Sequence, residues 1–141
     1  MKKVFLDTNV VIDYLARRGQ FFLPAAQIIR LGEEHKYELL VSALSFATVS
    51  FILESHHKLS HEVIVQKFSQ FVKMCNVTTV DSFTIDKAIA SPFTDFEDAM
   101  QYHSAIHEGA NVIITRNKKD FLSSQIPVFE PQEFIDYLLK Q

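Results

Sequence analysis

The chain of 141 residues is poor in the residues that mark disulfides, linkers and tight turns. It has one cysteine, three glycines, four prolines and no tryptophan. A single cysteine, Cys75, excludes an internal disulfide and favours a reducing compartment, and we expect it to be a small core residue. Because glycine and proline are scarce and no repeat or linker is present, the sequence predicts one domain over residues 1–141.

Long apolar runs and an excess of positive charge are also missing. No apolar run approaches the roughly 20 residues of a membrane span, and Asp7 and Asp13 interrupt the first apolar stretch, unlike a signal peptide. The formal net charge of −3 argues against a non-specific nucleic-acid coat but not against an enzyme that acts on nucleic acid. We therefore expect a cytoplasmic protein that does not contact membranes.

Short apolar segments alternate with helical periodicity along the chain. Strands are predicted at residues 4–6, 38–41, 77–80 and 112–115, and helices at residues 10–17, 25–36, 43–54, 60–75, 82–90, 93–109 and 131–139. Ser42 is the predicted N-cap of the helix over 43–54, which should be mostly buried. Short apolar strands are typical of a parallel sheet covered on both faces. The predicted fold is α/β, a three-layer α/β/α sandwich with a short central parallel sheet.

Acidic side chains follow two predicted strands and accompany the helix between them. Asp7 ends the first strand, Asp120 follows the strand at 112–115, and Asp95 and Asp98 are three apart on one predicted helix, where they would share a face. Ligands gather outside the carboxyl ends of strands in open α/β sheets, so these segments can deliver four carboxylates to one pocket. A divalent cation relieves the repulsion among carboxylates, and oxygen-only ligation suits Mg²⁺ or Mn²⁺.

These acids also have a purely structural interpretation. Asp95 can cap the start of its helix, where the helix dipole favours an acid, and Asp13 is expected at a surface or capping position. Spacing alone does not decide between the two interpretations. His103 and His107 are four apart, a spacing that can bind zinc, but no glutamate of the zinc-protease pattern lies between them and no cysteine is near. We therefore favour a surface or boundary pair.

Three segments of this chain are Asp7-Thr8-Asn9, Asp95-Phe96-Glu97-Asp98-Ala99 and Thr115-Arg116-Asn117-Lys118-Lys119-Asp120-Phe121. Taken together, they resemble the signature segments of PIN-domain proteins. Their order and spacing fit over nearly the whole chain. The resemblance implies an α/β/α sandwich and a Mg²⁺- or Mn²⁺-dependent endoribonuclease, in which a metal-activated water hydrolyses RNA phosphodiesters. It also implies a candidate toxin of a toxin–antitoxin pair, with an antitoxin protein as partner and a homodimer as a plausible assembly.

The resemblance assigns a role to each matching position. Asp7, Asp98 and Asp120 are the expected metal ligands, and together with Asp95 as a supporting acid they are the expected catalytic residues. Asn117 is an alternative to Asp120 as the match to the last acidic position of the family. The residues expected to orient ligands, waters or substrate around the ion are Thr8, Asn9, Thr115, Arg116 and Asn117.

One position departs from the family pattern. PIN ribonucleases commonly carry a glutamate on the helix after the second strand, several residues beyond a serine like Ser42, and here Thr48 stands there. A hydroxyl does not replace the charge of a carboxylate, and Glu54, six residues on, is rotated by about 240°. Asp95 is the better replacement, or Glu97 if its helix starts late. The alternative function is therefore a catalytically weak or inactive PIN-like module that binds RNA or a protein, and DNA as the target is a third interpretation.

Overall fold

The computed structural model describes residues 2–141, in which strands and helices alternate along the chain. The strands are β1 (Lys3–Leu6), β2 (Glu38–Ser42), β3 (Asn76–Thr78), β4 (Val112–Ile114) and β5 (Val128–Phe129). The helices are α1 (Thr8–Leu15), α2 (Phe22–Glu33), α3 (Ala43–Ser55), α4 (His61–Phe71), α5 (Ser82–Ile89), α6 (Phe96–His107) and α7 (Pro131–Leu139). None of these helices within residues 2–141 is both long enough and apolar enough to cross a membrane.

The five strands form one parallel sheet in the order β3-β2-β1-β4-β5. Side chains alternate between its two faces. Val4 and Leu6 join the larger core with residues of α1, α2, α3, α4 and α7, whereas Phe5 joins a smaller core with Tyr102 and Ala105 of α6. Helix α5 packs against α6. The predicted α/β/α sandwich with a central parallel sheet is therefore confirmed.

The path of the chain reverses direction next to β1. The chain runs from β1 through β2 to β3 with α1 to α4 on one face, and then α5 and α6 carry it across the opposite face to β4, on the other side of β1. Such a reversal is the topological switch point at which open α/β sheets bind their ligands. The carboxyl ends of β1 and β4, which Asp7 and Thr115 follow directly, meet at this point.

The helix after β2 corrects one expectation about burial. Helix α3 begins after Ser42, whose hydroxyl accepts the N–H of Leu44 at 3.1 Å as predicted for an N-cap. Only Ser45, Val49 and Leu53 of the helix are buried, and Phe51 is 63% exposed. The prediction of a mostly buried helix was wrong because α3 is apolar on all sides, so its periodicity did not reveal which side packs.

The bounds of two other helices also differ from those predicted. Helix α6 begins at Phe96 instead of residue 93 or 94, and it ends before Gly109, whose positive φ of 86° suits a residue without a side chain. Helix α4 ends at Phe71, four residues earlier than predicted. Cys75 therefore lies beyond that helix, where it is half-buried and packs against the larger core.

Candidate active site

Asp7 lies at the switch point, and it is the N-cap residue of helix α1. Strand β1 is buried through Val4, Phe5 and Leu6, and the side chain of Asp7 caps the helix that follows, where Oδ1 accepts the N–H of Thr8 at 2.8 Å. Asp7 is only 5% exposed. The chain has thus placed an ionisable group where most of its hydration is removed.

Residues after β4 complete the surroundings of this carboxylate. The hydroxyl of Thr115 donates to Oδ2 of Asp7 at 2.8 Å, and the amide of Asn9 donates to the same oxygen at 3.2 Å and to Thr115 Oγ1 at 3.3 Å. The backbone N–H of Asn117 donates to Thr115 Oγ1 at 3.0 Å. Three of the residues expected around the ion are therefore linked to Asp7 through hydrogen bonds that fix its orientation.

The acidic segment at the start of α6 has a different geometry from the predicted one. Asp95 precedes the helix as its N-cap, and its Oδ1 accepts the backbone N–H of Asp98 at 2.9 Å. Asp95 and Asp98 therefore do not share a helix face, and the capping interpretation of Asp95 is confirmed. Glu97 and Asp98 lie in the first turn and are both half-buried.

Electrostatic coupling shows that the acidic segments act on one another. Burial is the main cause that raises the pKa of Asp7 to about 6, and the negative charges of Glu97 and Asp120 add to it. Burial also raises the pKa of Asp98 to about 7, together with the charges of Asp7, Asp95, Asp120 and Glu97. Side chains from β1, α6 and the turn after β4 thus share one electrostatic environment.

Asp120 lies in a 3₁₀ turn, Lys118–Phe121, that follows β4. The backbone N–H of Asp120 donates to the carbonyl of Asn117 at 3.0 Å, and Phe121 is buried in the smaller core. This packing anchors the turn, while the Asp120 side chain remains exposed at the edge of the site.

The carboxylates form a loose group rather than a compact cage. Among residues 2–141, no three histidine, cysteine, aspartate or glutamate side chains are close enough to form a ready-made metal cluster. The side-chain atoms that could bind a metal ion at the switch point are nonetheless all oxygens, which suits Mg²⁺ or Mn²⁺. Mg²⁺ usually keeps several waters between itself and the protein. The chemistry of the donor set therefore fits a hydrated divalent ion.

Asp13 corrects the expectation of a surface or capping role. It is fully buried and lies between two arginines, with Nε of Arg18 at 2.8 Å from Oδ1 and Nε of Arg116 at 2.6 Å from Oδ2. Arg116 also covers the ring of Phe21, with its guanidinium carbon 4.0 Å from the ring centroid. The Arg116 side chain is thus a structural anchor in this structure, and its contact with substrate stays a prediction.

The backbone of Arg116 joins this anchor to the site. Its N–H donates to Oδ1 of Asn9 at 3.3 Å, while the amide of Asn9 donates to Asp7. The ion pair with Asp13 therefore holds the segment after β4 against α1, next to the carboxylate of Asp7.

Two buried polar residues beside Asp7 escaped the sequence analysis. The hydroxyl groups of Thr8 and Ser45 are 2.7 Å apart, and Nε2 of Gln101 donates to Thr8 Oγ1 at 2.6 Å. Thr8 therefore faces α3 and α6 instead of the Asp7 carboxylate, although its backbone N–H binds Asp7. No local pattern identifies Ser45 or Gln101, because their partners are far away in the sequence.

The remaining candidates lie outside this network. Thr48, where the resemblance led us to expect a glutamate, is half-buried one turn beyond Ser45 on α3, and Glu54 is exposed near the end of the same helix. His107 packs its ring against Phe83 with centroids 4.9 Å apart.

Comparison with known proteins places this geometry in a family. A profile of the PIN domain matches residues 3–119. Ribonuclease VapC1 of Aquifex aeolicus (strain VF5) is 29% identical over 140 residues, which are 96% of this chain and 94% of that protein. The sequence likeness thus covers all three acidic segments, and the PIN profile spans most of the chain.

Solved structures show the same fold. A toxin–antitoxin complex from Klebsiella pneumoniae superposes with a TM-score of 0.66 at 22% identity and covers 91% of this chain and 97% of that chain. The sarcin-ricin loop cleaving toxin VapC20 of Mycobacterium tuberculosis gives 0.60 at 14% identity, over 78% of this chain and 86% of that one. At these identities the structural likeness establishes the fold alone, but together with the profile match it leads to one conclusion. This chain belongs to the PIN-domain family.

Proposed function

We propose that this protein is an endoribonuclease of the PIN type, which hydrolyses RNA phosphodiesters with the help of a bound Mg²⁺ or Mn²⁺ ion. The observation that carries the proposal is the meeting of Asp7, buried at the switch point, with Asp98 of α6, since burial and neighbouring acidic charges raise the pKa of both carboxyl groups. Membership of the PIN family and the likeness to a ribonuclease support it.

In this proposal Asp7, Asp98 and Asp120 hold the ion, directly or through water. A bound divalent ion supplies a Lewis acid that lowers the pKa of water and neutralises charge on the phosphate. The hydroxyl of Thr115 and the backbone N–H of Thr8 fix the two oxygens of Asp7, so that this carboxylate is oriented before any ligand binds. Asp95 supports the site through its charge and by capping α6.

The substrate backbone would lie along the turn after β4. Lys118 and Lys119 are exposed beside Asp120, where they can position a phosphate without reading sequence. The guanidinium of Arg116 is already paired with Asp13, so we assign it the smaller share of this role. Asn117, exposed in the same segment, is available to bind a water or a phosphate oxygen.

We also propose that the protein is the toxin of a toxin–antitoxin pair and acts in the cytoplasm. The likeness to a toxin–antitoxin complex supports a protein partner that restrains the nuclease. A homodimer is part of this proposal. Copurification with the product of a neighbouring gene would test the first point, and light scattering of the isolated chain would test the second.

The experiment that tests catalysis compares the parent chain with Asp98→Asn, which keeps the shape of the side chain and removes its charge. We expect cleavage of RNA in Mn²⁺ to fall by more than about 100-fold, because even outer-shell partners of a metal contribute about 10–100-fold. Asp136→Asn is the control, since Asp136 is exposed on α7. Equal cleavage by the parent and Asp98→Asn at high purity would refute the mechanism.

The second candidate is a PIN-like module that binds RNA or a protein but does not cut. Thr48, in place of the usual glutamate, is the observation that favours it. Calorimetric titration with Mn²⁺ separates the two candidates, because the nuclease requires an ion and the binding module does not. A folded parent chain that binds RNA but neither binds Mn²⁺ nor cleaves would favour the module.

A further inference from the structure

Three buried side chains from three helices form a closed ring of hydrogen bonds beside Asp7. They are Thr8 of α1, Ser45 of α3 and Gln101 of α6, and each is at most 6% exposed. The Thr8 and Ser45 hydroxyl oxygens are 2.7 Å apart, Ser45 Oγ donates to Gln101 Oε1 at 3.4 Å, and Gln101 Nε2 donates to Thr8 Oγ1 at 2.6 Å. The ring is self-consistent when Thr8 donates its hydroxyl hydrogen to Ser45.

The ring leaves one donor of Gln101 for a partner outside it. A glutamine amide carries two N–H donors, and Thr8 accepts only one of them. Oε1 of Glu97, one helical turn before Gln101, lies 3.5 Å from Nε2 and accepts the other. Because a buried N–H without an acceptor is costly, the ring favours the conformation in which the carboxylate of Glu97 turns toward Gln101.

This conformation keeps the charge of Glu97 close to the site. Apart from burial, which is the larger cause, the charge of Glu97 contributes to the raised pKa of both Asp7 and Asp98. The path from Glu97 to Asp7 is short: Gln101 binds Glu97 and Thr8, and the backbone N–H of Thr8 binds Asp7 Oδ1 at 2.8 Å. Glu97 is thus connected to the site by hydrogen bonds as well as by charge.

We propose that Glu97 supplies the carboxylate that this chain lacks at Thr48, and that Gln101 is the residue that positions it. The inference rests on the proposed metal-dependent function and names a fourth acid of that same site. Two other acids are less suitable. Asp95 lies outside the helix, where its exposed side chain caps α6, and Glu54 is exposed near the far end of α3, whereas Glu97 is half-buried.

The first test measures Mn²⁺ affinity by calorimetry for the parent and for Glu97→Gln. Glu97 is half-buried in the first turn of its helix, and glutamine keeps its length, so the variant is expected to fold. We expect Mn²⁺ affinity to fall by about 10-fold or more. The matched control is Glu108→Gln, a half-buried glutamate at the opposite end of α6, for which we expect no change. Unchanged affinity in Glu97→Gln would overturn the proposal.

The second test asks whether Gln101 acts through Glu97. Gln101→Met removes both N–H donors at similar length, and it should weaken Mn²⁺ binding in the parent but add nothing in the Glu97→Gln background. A structural role alone would lower stability without this dependence, so unfolding in urea with EDTA is measured alongside. Losses that add in the double variant would overturn the positioning role. Gln101→Asn, which keeps the amide but is too short to reach Glu97, replaces Gln101→Met if that variant does not fold.

Asp98→Asn, titrated in parallel, separates this inference from the proposed function. If Asp98→Asn loses Mn²⁺ binding and Glu97→Gln does not, only the role of Glu97 fails. If the parent binds no Mn²⁺ at all, the metal-dependent function fails, and the inference fails with it.

Discussion

Asp7 at the beginning of α1 and Asp13 near its end are both buried, yet the charges around them have opposite signs. Asp13 lies between the guanidinium groups of Arg18 and Arg116. Asp7 is surrounded by hydrogen-bond donors, and the charged groups that shift its pKa, Glu97 and Asp120, are acidic. Within residues 2–141, no salt bridge involves Asp7.

A buried carboxylate is unfavourable unless its charge is compensated. The chain compensates Asp13 with its own arginines, which makes that end of α1 a structural element. At Asp7 the hydrogen bonds of Thr8, Asn9 and Thr115 compensate only in part, because the pKa remains raised to about 6. A buried carboxylate with a raised pKa is a candidate functional group, and Asp7 is where we propose that the cation binds.

The two regions are also mechanically connected. Arg116 binds Asp13 through its side chain, while its backbone N–H donates to Asn9, which in turn donates to Asp7. The ion pair at Asp13, near the end of α1, therefore holds the segment after β4, and this segment contacts Asp7 at the start of α1. Substitution of Asp13 should therefore lower the free energy of unfolding. Substitution of Asp7 should mainly change how stability responds to pH and to metal ions.

The largest effect on stability is expected from Asp13→Ala. Removing one partner of a buried ion pair typically costs about 3–5 kcal/mol, because the other charge is left without compensation. The arginine side chains here keep 27–33% exposure, so we expect a value near 3 kcal/mol. Urea unfolding at neutral pH measures it. Asp86→Ala, at an exposed aspartate of α5, is the control, and a loss below about 1 kcal/mol for Asp13→Ala would contradict the structural role.

Asp7→Asn should change how stability depends on pH. The pKa of Asp7 is raised from 3.8 to about 6 on folding, so the folded parent holds a proton that the unfolded chain has lost between those values. The contribution of Asp7 to the stability of the parent therefore falls as pH rises from about 4 to about 6, by up to about 3 kcal/mol. Asparagine at position 7 does not titrate. The stability of the variant relative to the parent should therefore increase between about pH 4 and about pH 6 and then level off.

Urea unfolding in EDTA at pH 4.5 and pH 7.5 measures the effect. With Mn²⁺ in place of EDTA, the parent should become more stable than Asp7→Asn at pH 7.5, because an ion that binds only the folded parent stabilises it by mass action. Parallel pH profiles for the parent and Asp7→Asn would show that Asp7 is compensated within the protein after all.

Several parts of this molecule followed from local sequence patterns. The last helix has the predicted bounds, 131–139, because a proline at its start and a regular apolar stripe define it. Asp7 and Asp120 were expected to reach one edge of the sheet if the strands they follow are neighbours, and β1 does pair with β4. Three acidic segments reach one electrostatic environment, as their positions at strand and helix ends suggested.

Other parts depend on contacts that no local pattern carries. Strand β5 has only two residues and is defined by its pairing with β4, so it was missed. The start of α6 was placed too early because Phe93 continues the apolar pattern, although its ring packs on Tyr102 and Phe121 as part of the smaller core. Asp13 was misjudged because Arg116, 103 residues later, is its partner.

The smallest effect is expected where an acid and a base pair in solvent. Lys118 Nζ lies 3.0 Å from Oε1 of Glu133, and their side chains are 43% and 48% exposed. Such pairs contribute about 0–1 kcal/mol, and salt screens them. Glu133 also accepts the N–H of Glu130 at the start of α7, which is the largest single cause of its lowered pKa, and we expect this capping contact to survive without the lysine. Lys118→Ala should therefore change the free energy of unfolding by less than about 1 kcal/mol, with no remaining difference from the parent in 0.5 M salt. A loss comparable to that of Asp13→Ala would mean that exposure does not separate the structural from the dispensable ion pairs of this protein.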